Sequence, residues 1–128
     1  MTASSFAIQV EPERDLVRIT LSGFFVPADV SAFVAARNKA HAGLRCAPNA
    51  HLTLVDVRGL KIQPQEAVAA FRAMLSAPEH RSRRLAFITS STLARNQLTR
   101  AVGTRTAHFF VDAAEAEAWL FEGDRPQS

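Results

Sequence analysis

His51-Leu52-Thr53-Leu54-Val55-Asp56-Val57 decides how this chain folds. The run is nearly continuous in apolar and β-branched residues and too short for a helix of its own, so it reads as a strand covered on both faces. Arg58-Gly59 reads as the turn that closes it. A strand of that kind belongs inside a largely parallel sheet, with helices packed over it.

Upstream, Pro27 suits the first turn of a helix over about residues 28–42, whose stripe is Val30, Phe33, Val34, Arg37 and His41, with Gly43 placed for a left-handed cap. Before it, Phe6, Ile8 and Val10 alternate with Ala7 and Gln9, and Val17, Ile19 and Leu21 alternate with Arg18 and Thr20. Alternation of this kind marks strands with one buried face, and Glu11-Pro12-Glu13-Arg14-Asp15 between them makes a hairpin.

Downstream, Pro64 and Glu66 mark the start of a second helix carrying Ala67, Val68, Phe71, Met74 and Leu75, which stops before Pro78. Leu85-Ala86-Phe87-Ile88-Thr89 is a short buried strand. Ser90, Ser91 or Thr92 caps a third helix over about residues 93–102. Ala107 to Val111 is the last strand, and Asp112 with Glu115 starts a fourth helix whose apolar face is Ala116, Trp119 and Leu120. The order is ββαβαβαβα. It predicts an α/β fold with a five-stranded mixed, mostly parallel sheet and four helices, helices lying on both faces. The loops to inspect are those at the carboxyl ends of the strands.

The length of 128 residues suits one domain, ordered over about residues 5–122 with a frayed tail at 123–128. Hydrophobic residues at 48% and charged residues at 21% are globular proportions. No apolar stretch is long enough to span a bilayer, and no secretory leader opens the chain. Cys46 is the only cysteine, which excludes an intrachain disulfide and suits the cytoplasm. The net charge of +3 comes with a pI near 10 because Lys39 and Lys61 are the only lysines among many arginines. These arginines are scattered, apart from His80-Arg81-Ser82-Arg83-Arg84. With no helix-turn-helix and no interleaved aromatic pattern, nucleic acid is not an expected partner.

Leu54-Val55-Asp56-Val57-Arg58-Gly59-Leu60, the basic lead into Leu85-Ala86-Phe87-Ile88, and Phe109-Phe110 followed by Glu115 to Leu120 give the chain its likeness. It resembles the STAS domain of anti-sigma factor antagonists and sulphate transporters, and more narrowly the SpoIIAA-like group of small bacterial proteins, related by fold to the lipid-binding CRAL-TRIO domain. The resemblance implies a protein-interaction or regulatory module. It departs from the antagonists at one place: their Asp-Ser-Ser-Gly, with its phosphorylated serine, matches Pro64-Gln65-Glu66-Ala67 here. That stretch has no hydroxyl. Glu66 is then an ordinary first-turn acid, or a fixed stand-in for the phosphate charge.

No complete catalytic set is legible. Ser90 or Ser91 with His108 and Asp56 or Asp112 could form a hydrolase triad, but serines before a helix are caps and no nucleophile elbow surrounds them. His41, His51, His80 and His108 have no metal-ligand spacing, and isolated glycines offer no nucleotide loop, so neither a metal nor a cofactor is expected. The leading expectation is a non-catalytic module that docks an unidentified protein partner through Arg58, Gln65, Glu66, Arg72, Ser90, Ser91 and Arg95. Arg95 and Arg100 on the third helix could meet a partner's carboxylates. A carrier of an apolar or anionic small molecule is the alternative, motivated by nine phenylalanines and the CRAL-TRIO kinship. A serine hydrolase is third. Exposed sheet edges favour a symmetric homodimer, though no single residue specifies one.

Overall fold

The computed structural model describes residues 4–47, 49–61, 63–76, 82–90, 95–96, 99 and 107–122. Its strands are β1 (Ser5–Glu11), β2 (Leu16–Gly23), β3 (Leu52–Leu60), β4 (Arg84–Ile88) and β5 (His108–Phe110). Its helices are α1 (Pro27–His41), α2 (Gln65–Ser76) and α3 (Ala113–Glu122). The helix expected over residues 93–102 falls outside the described residues, except that Arg95, Asn96 and Thr99 are helical. The tail at 123–128 and Ser91 lie outside them as well.

The five strands lie in chain order, β1-β2-β3-β4-β5, with β1 antiparallel to β2 and the later neighbours parallel. Right-handed crossovers that all step the same way put their helices on one face. Accordingly, Val30 and Phe33 of α1 and Ala67, Phe71 and Leu75 of α2 pack with Val17, Ile19, Val55, Val57, Leu85 and Phe87. The residues between these on the strands point the other way: Leu52, Leu54, Ala86 and Ile88 meet Ala116 and Leu120 of α3. The period of 2 along β3 and β4 thus feeds two cores, which is why β3 has no polar side.

Several local features differ from the sequence reading. Gly43 does not form a left-handed cap; Ala42 stays right-handed, and the amides of Ala42, Gly43 and Leu44 bond back to Lys39, Ala40 and His41 at 3.0–3.2 Å. Three short bonds of this type satisfy the end of α1 without positive φ. At the hairpin it is Asp15 that turns left-handed, at φ 52°, after a short 3₁₀ turn over Pro12–Arg14. Arg58-Gly59 does not end β3, because the strand runs on to Leu60 through a bulge. Thr20 faces Asp56 while Ser22 faces Gly59, so β3 carries one residue more than β2 across this stretch.

α3 starts as expected: Asp112 Oδ1 accepts the Ala114 amide at 2.9 Å. Its apolar face is weighted differently, since Ala116 and Leu120 are fully buried and Trp119 is half-buried at the margin. The indole packs on His108 at 4.2 Å between ring centroids and on the Arg84 guanidinium at 4.8 Å.

Candidate functional site at the carboxyl end of the sheet

The bulge between Asp56 and Gly59 turns Arg58 out to solvent at the carboxyl end of β3. Arg58 then folds back on its own strand: Nε and Nη2 reach Asp56 Oδ1 and Oδ2 at 3.0 and 2.7 Å, and its amide donates to Asp56 Oδ1 at 3.0 Å. The Arg58 hydrogen bonds hold the Asp56 carboxyl below its ordinary value, and Asp56 in return holds the guanidinium above its own. Ser90, one strand over, approaches the Arg58 carbonyl with its hydroxyl at 3.4 Å. The structure therefore brings Arg58 and Ser90 together.

Gln65 and Glu66 are exposed on the first turn of α2, which follows the same strand end. Arg72 lies almost two turns further along that helix, exposed. Arg95 sits over the Phe109 ring at 5.6 Å to the centroid, on the face of the sheet shared with α1 and α2. Arg72 is thus set further along α2 than Gln65 and Glu66, and Arg95 lies beside β5.

Sequence reading missed the residue that organises this end. Gln63 is buried, takes the Phe25 amide on Oε1 at 2.7 Å, and donates from Nε2 to the carbonyls of Gly23, at 2.8 Å, and Lys61. It ties the segment after β2 to the segment after β3. Beside it, Phe24 and Val26 are 43% and 51% exposed, Val111 after β5 is 78% exposed, and Phe6 is 37% exposed. Phe6 pairs with Leu21 near the carboxyl end of β2, so all four exposed large apolar side chains among the described residues lie at one end of the sheet. Across five strands that rim is about 19 Å wide.

Among the described residues, the hydrolase triad expected of Ser90 is not assembled. His108 is level with Ala86, four residues before Ser90, which places it on the order of 13 Å down the sheet. Its ring rests on Trp119, Asp56 is engaged by Arg58, and Asp112 caps α3. The basic cluster before β4 is also committed where it is described: Ser82 bonds Thr53 at 2.6 Å, Arg83 donates to the Ala50 carbonyl at 3.1 Å and Arg84 to the Trp119 carbonyl at 2.6 Å. His80 and Arg81 lie outside the described residues, as does Arg100. His41 and His51 do meet, with ring centroids 4.4 Å apart, but no group of three metal-ligating side chains occurs among the described residues.

Another cluster unforeseen from sequence lies at the opposite end. Arg14 and Arg18 each bridge Glu11 and Glu117, with Arg14 at 3.1 and 2.5 Å and Arg18 reaching Glu117 at 3.1 Å. The Arg14 guanidinium also covers the Phe121 ring at 4.4 Å. Both carboxyls are held below their ordinary value, Glu11 chiefly by its hydrogen bond from Arg18 and Glu117 by that from Arg14. A groove of about 750 Å³ runs alongside, lined by Glu13, Asp15, Arg83 and Phe121 among others. Five of its eight lining residues are charged, unlike a predominantly apolar carrier cavity.

No family model matches the chain, and no curated protein does. Solved structures do. A protein of the DUF3478 family from Shewanella loihica PV-4, described as having a SpoIIAA-like fold, matches at 18% identity and TM-score 0.71 over 94% of this chain and 97% of that one. An anti-sigma factor antagonist from Mycobacterium paratuberculosis matches at 12% identity and TM-score 0.60 over 91% and 94%. No helix among the described residues is long and apolar enough to cross a membrane. Strand order, the antiparallel first pair and both likenesses agree on one architecture, and this chain has the SpoIIAA-like, STAS-like α/β fold.

Proposed function

We propose that this protein is a non-catalytic docking module whose carboxyl-end rim binds a protein partner. The observation that carries this reading is the placement of Phe6, Phe24, Val26 and Val111 on one rim, around the Asp56–Arg58 pair and Ser90. Apolar side chains interspersed with arginine and hydrogen-bonding groups are the composition of a protein interface. The anti-sigma factor antagonist among the neighbours supports a regulatory setting. Because Pro64-Gln65-Glu66-Ala67 offers no hydroxyl where the antagonists carry their switch serine, docking here is not gated by phosphorylation at that turn.

The strand order supports docking over carriage. Parallel strands β2 to β5 follow one another without a reversal, so the sheet lacks the point where neighbouring crossovers diverge and open a ligand crevice. Four of the nine phenylalanines behind the carrier alternative, Phe25, Phe33, Phe71 and Phe87, are buried core, with Phe25 and Phe33 both packed on Phe71 at 5.4 and 6.4 Å.

The test is affinity capture from the native host with the wild-type chain, with Phe24→Asp/Val111→Asp, and with Arg83→Asp at the far end of the sheet. One protein retained by the wild type and by Arg83→Asp, and lost with the rim variant, is the expected result. Capture indifferent to the rim variant, or a lipid-sized adduct in native mass spectrometry, overturns it.

A further inference from the structure

We propose that the outer edge of β1 pairs with β1 of a second copy, antiparallel and centred on Ile8, so that two molecules share one continuous sheet. Among the described residues, β1 is hydrogen-bonded to a strand on one side only, by β2, and its Ser5, Phe6, Ala7 and Gln9 are exposed. An edge strand presents a row of backbone donors and acceptors, and proteins that stay monomeric blunt such edges with proline, lysine, bulges or short strands. The other edge of this sheet is blunted in that way, since β5 has 3 residues. β1 has 7 residues, Ser5-Phe6-Ala7-Ile8-Gln9-Val10-Glu11, with no proline or lysine. β1 pairs with β2 from Ser5 to Glu11 without a register shift, so no bulge twists this edge away.

The occupant follows from the strand's own pattern. A twofold axis through Ile8 sets Phe6 against the partner copy's Val10, Ala7 against its Gln9 and Ser5 against its Glu11. Every residue of the strand then finds a mate. The apolar row Phe6, Ile8 and Val10, already packed with the α1 core through contacts such as Phe6 on Phe33 at 5.5 Å, continues across the axis. No charge meets a like charge: Glu11, the one charged residue in the strand, faces a serine and is itself held by Arg14 and Arg18. An isologous strand pair of this kind closes as a dimer and leaves no further edge of the same sort.

The register makes the test specific, because residues 7 and 9 face each other across the axis and both side chains are exposed in the single chain. Ala7→Lys/Gln9→Lys sets lysine against lysine at two positions, whereas Ala7→Lys/Gln9→Glu sets lysine against glutamate at the same two. Sedimentation velocity on the full chain should show a dimer for the wild type at micromolar concentration. The double-lysine variant should self-associate about tenfold or more weakly, with an unchanged far-ultraviolet circular dichroism spectrum, and the lysine–glutamate variant should remain dimeric. A wild type that stays monomeric up to about ten times that concentration overturns the proposal and leaves the edge to a strand of another protein. Equal dimerisation by both variants overturns the register.

Discussion

Gln63 completes the backbone hydrogen bonding of Phe25: its Oε1 accepts the Phe25 amide at 2.7 Å, where the sheet has ended and no strand remains to do so. Phe25 is fully buried, so its N–H cannot turn to water instead. Replacing Gln63 with leucine keeps the volume and orphans that donor, at a cost of about 1–3 kcal/mol. Urea denaturation measures it. The same variant should loosen the Phe24–Val26 segment and weaken any docking at the rim.

Leu120 and Trp119 are adjacent on α3, and the smaller side chain should matter more. Leu120 is fully buried against Leu16, Leu52 and Ile88, so Leu120→Ala should cost about 2.7–5 kcal/mol. Trp119 is half-buried, and Trp119→Ala should fall below the roughly 3–5 kcal/mol of a fully buried ring. Equilibrium unfolding of both variants checks the order.

Gly59 stands opposite Ser22 at the bulge, where an added Cβ would lie 3.0 Å from the Ser22 Cβ. Gly59→Ala should cost about 1–3 kcal/mol by crowding. Because the bulge presents Arg58, that variant should also alter the Asp56–Arg58 pair, visible as a changed Asp56 carboxyl titration by NMR.

Acid should weaken the end of the molecule where Glu11 and Glu117 meet Arg14 and Arg18. Both carboxyls titrate below their ordinary value of 4.5 in the folded chain, so on acidification the unfolded chain binds the protons first. Stability is therefore present above that pH and is lost as pH falls through the lowered folded values. Each pair is solvent-screened and contributes about 0.2–1 kcal/mol. Thermal melts from pH 6 to pH 3 should decline less steeply for Glu11→Gln/Glu117→Gln than for the wild type.

The fold was legible in this sequence where its cause is local. Period-2 alternation marks β1 and β2, the unbroken apolar run marks β3, and Asp112 caps α3, because each depends on neighbours a few residues away. The ion-pair cluster joins Glu11 to Glu117, and no spacing rule spans that distance. Gln63 carried no pattern either, since its partners are backbone groups at positions 23, 25 and 61. The bulge at Arg58-Gly59 read as a turn because glycine serves both. Of the expected contact residues, Arg58, Gln65, Glu66 and Ser90 lie at or just beyond strand ends, whereas Arg72 sits almost two turns along α2 and Arg95 over the Phe109 ring.

Among the described elements, α3 alone covers the face formed by Leu16, Leu52, Leu54, Ala86 and Ile88. During synthesis every strand of that face leaves the ribosome before its cover does, while α1 and α2 are interleaved with the strands that they shield. Among the described elements, the nascent chain thus passes through a stage at which one side of its sheet has its helices and the other still lacks α3. A chain stopped at Asp112 would be held at that stage, and a holdase chaperone should retain it in preference to the completed protein.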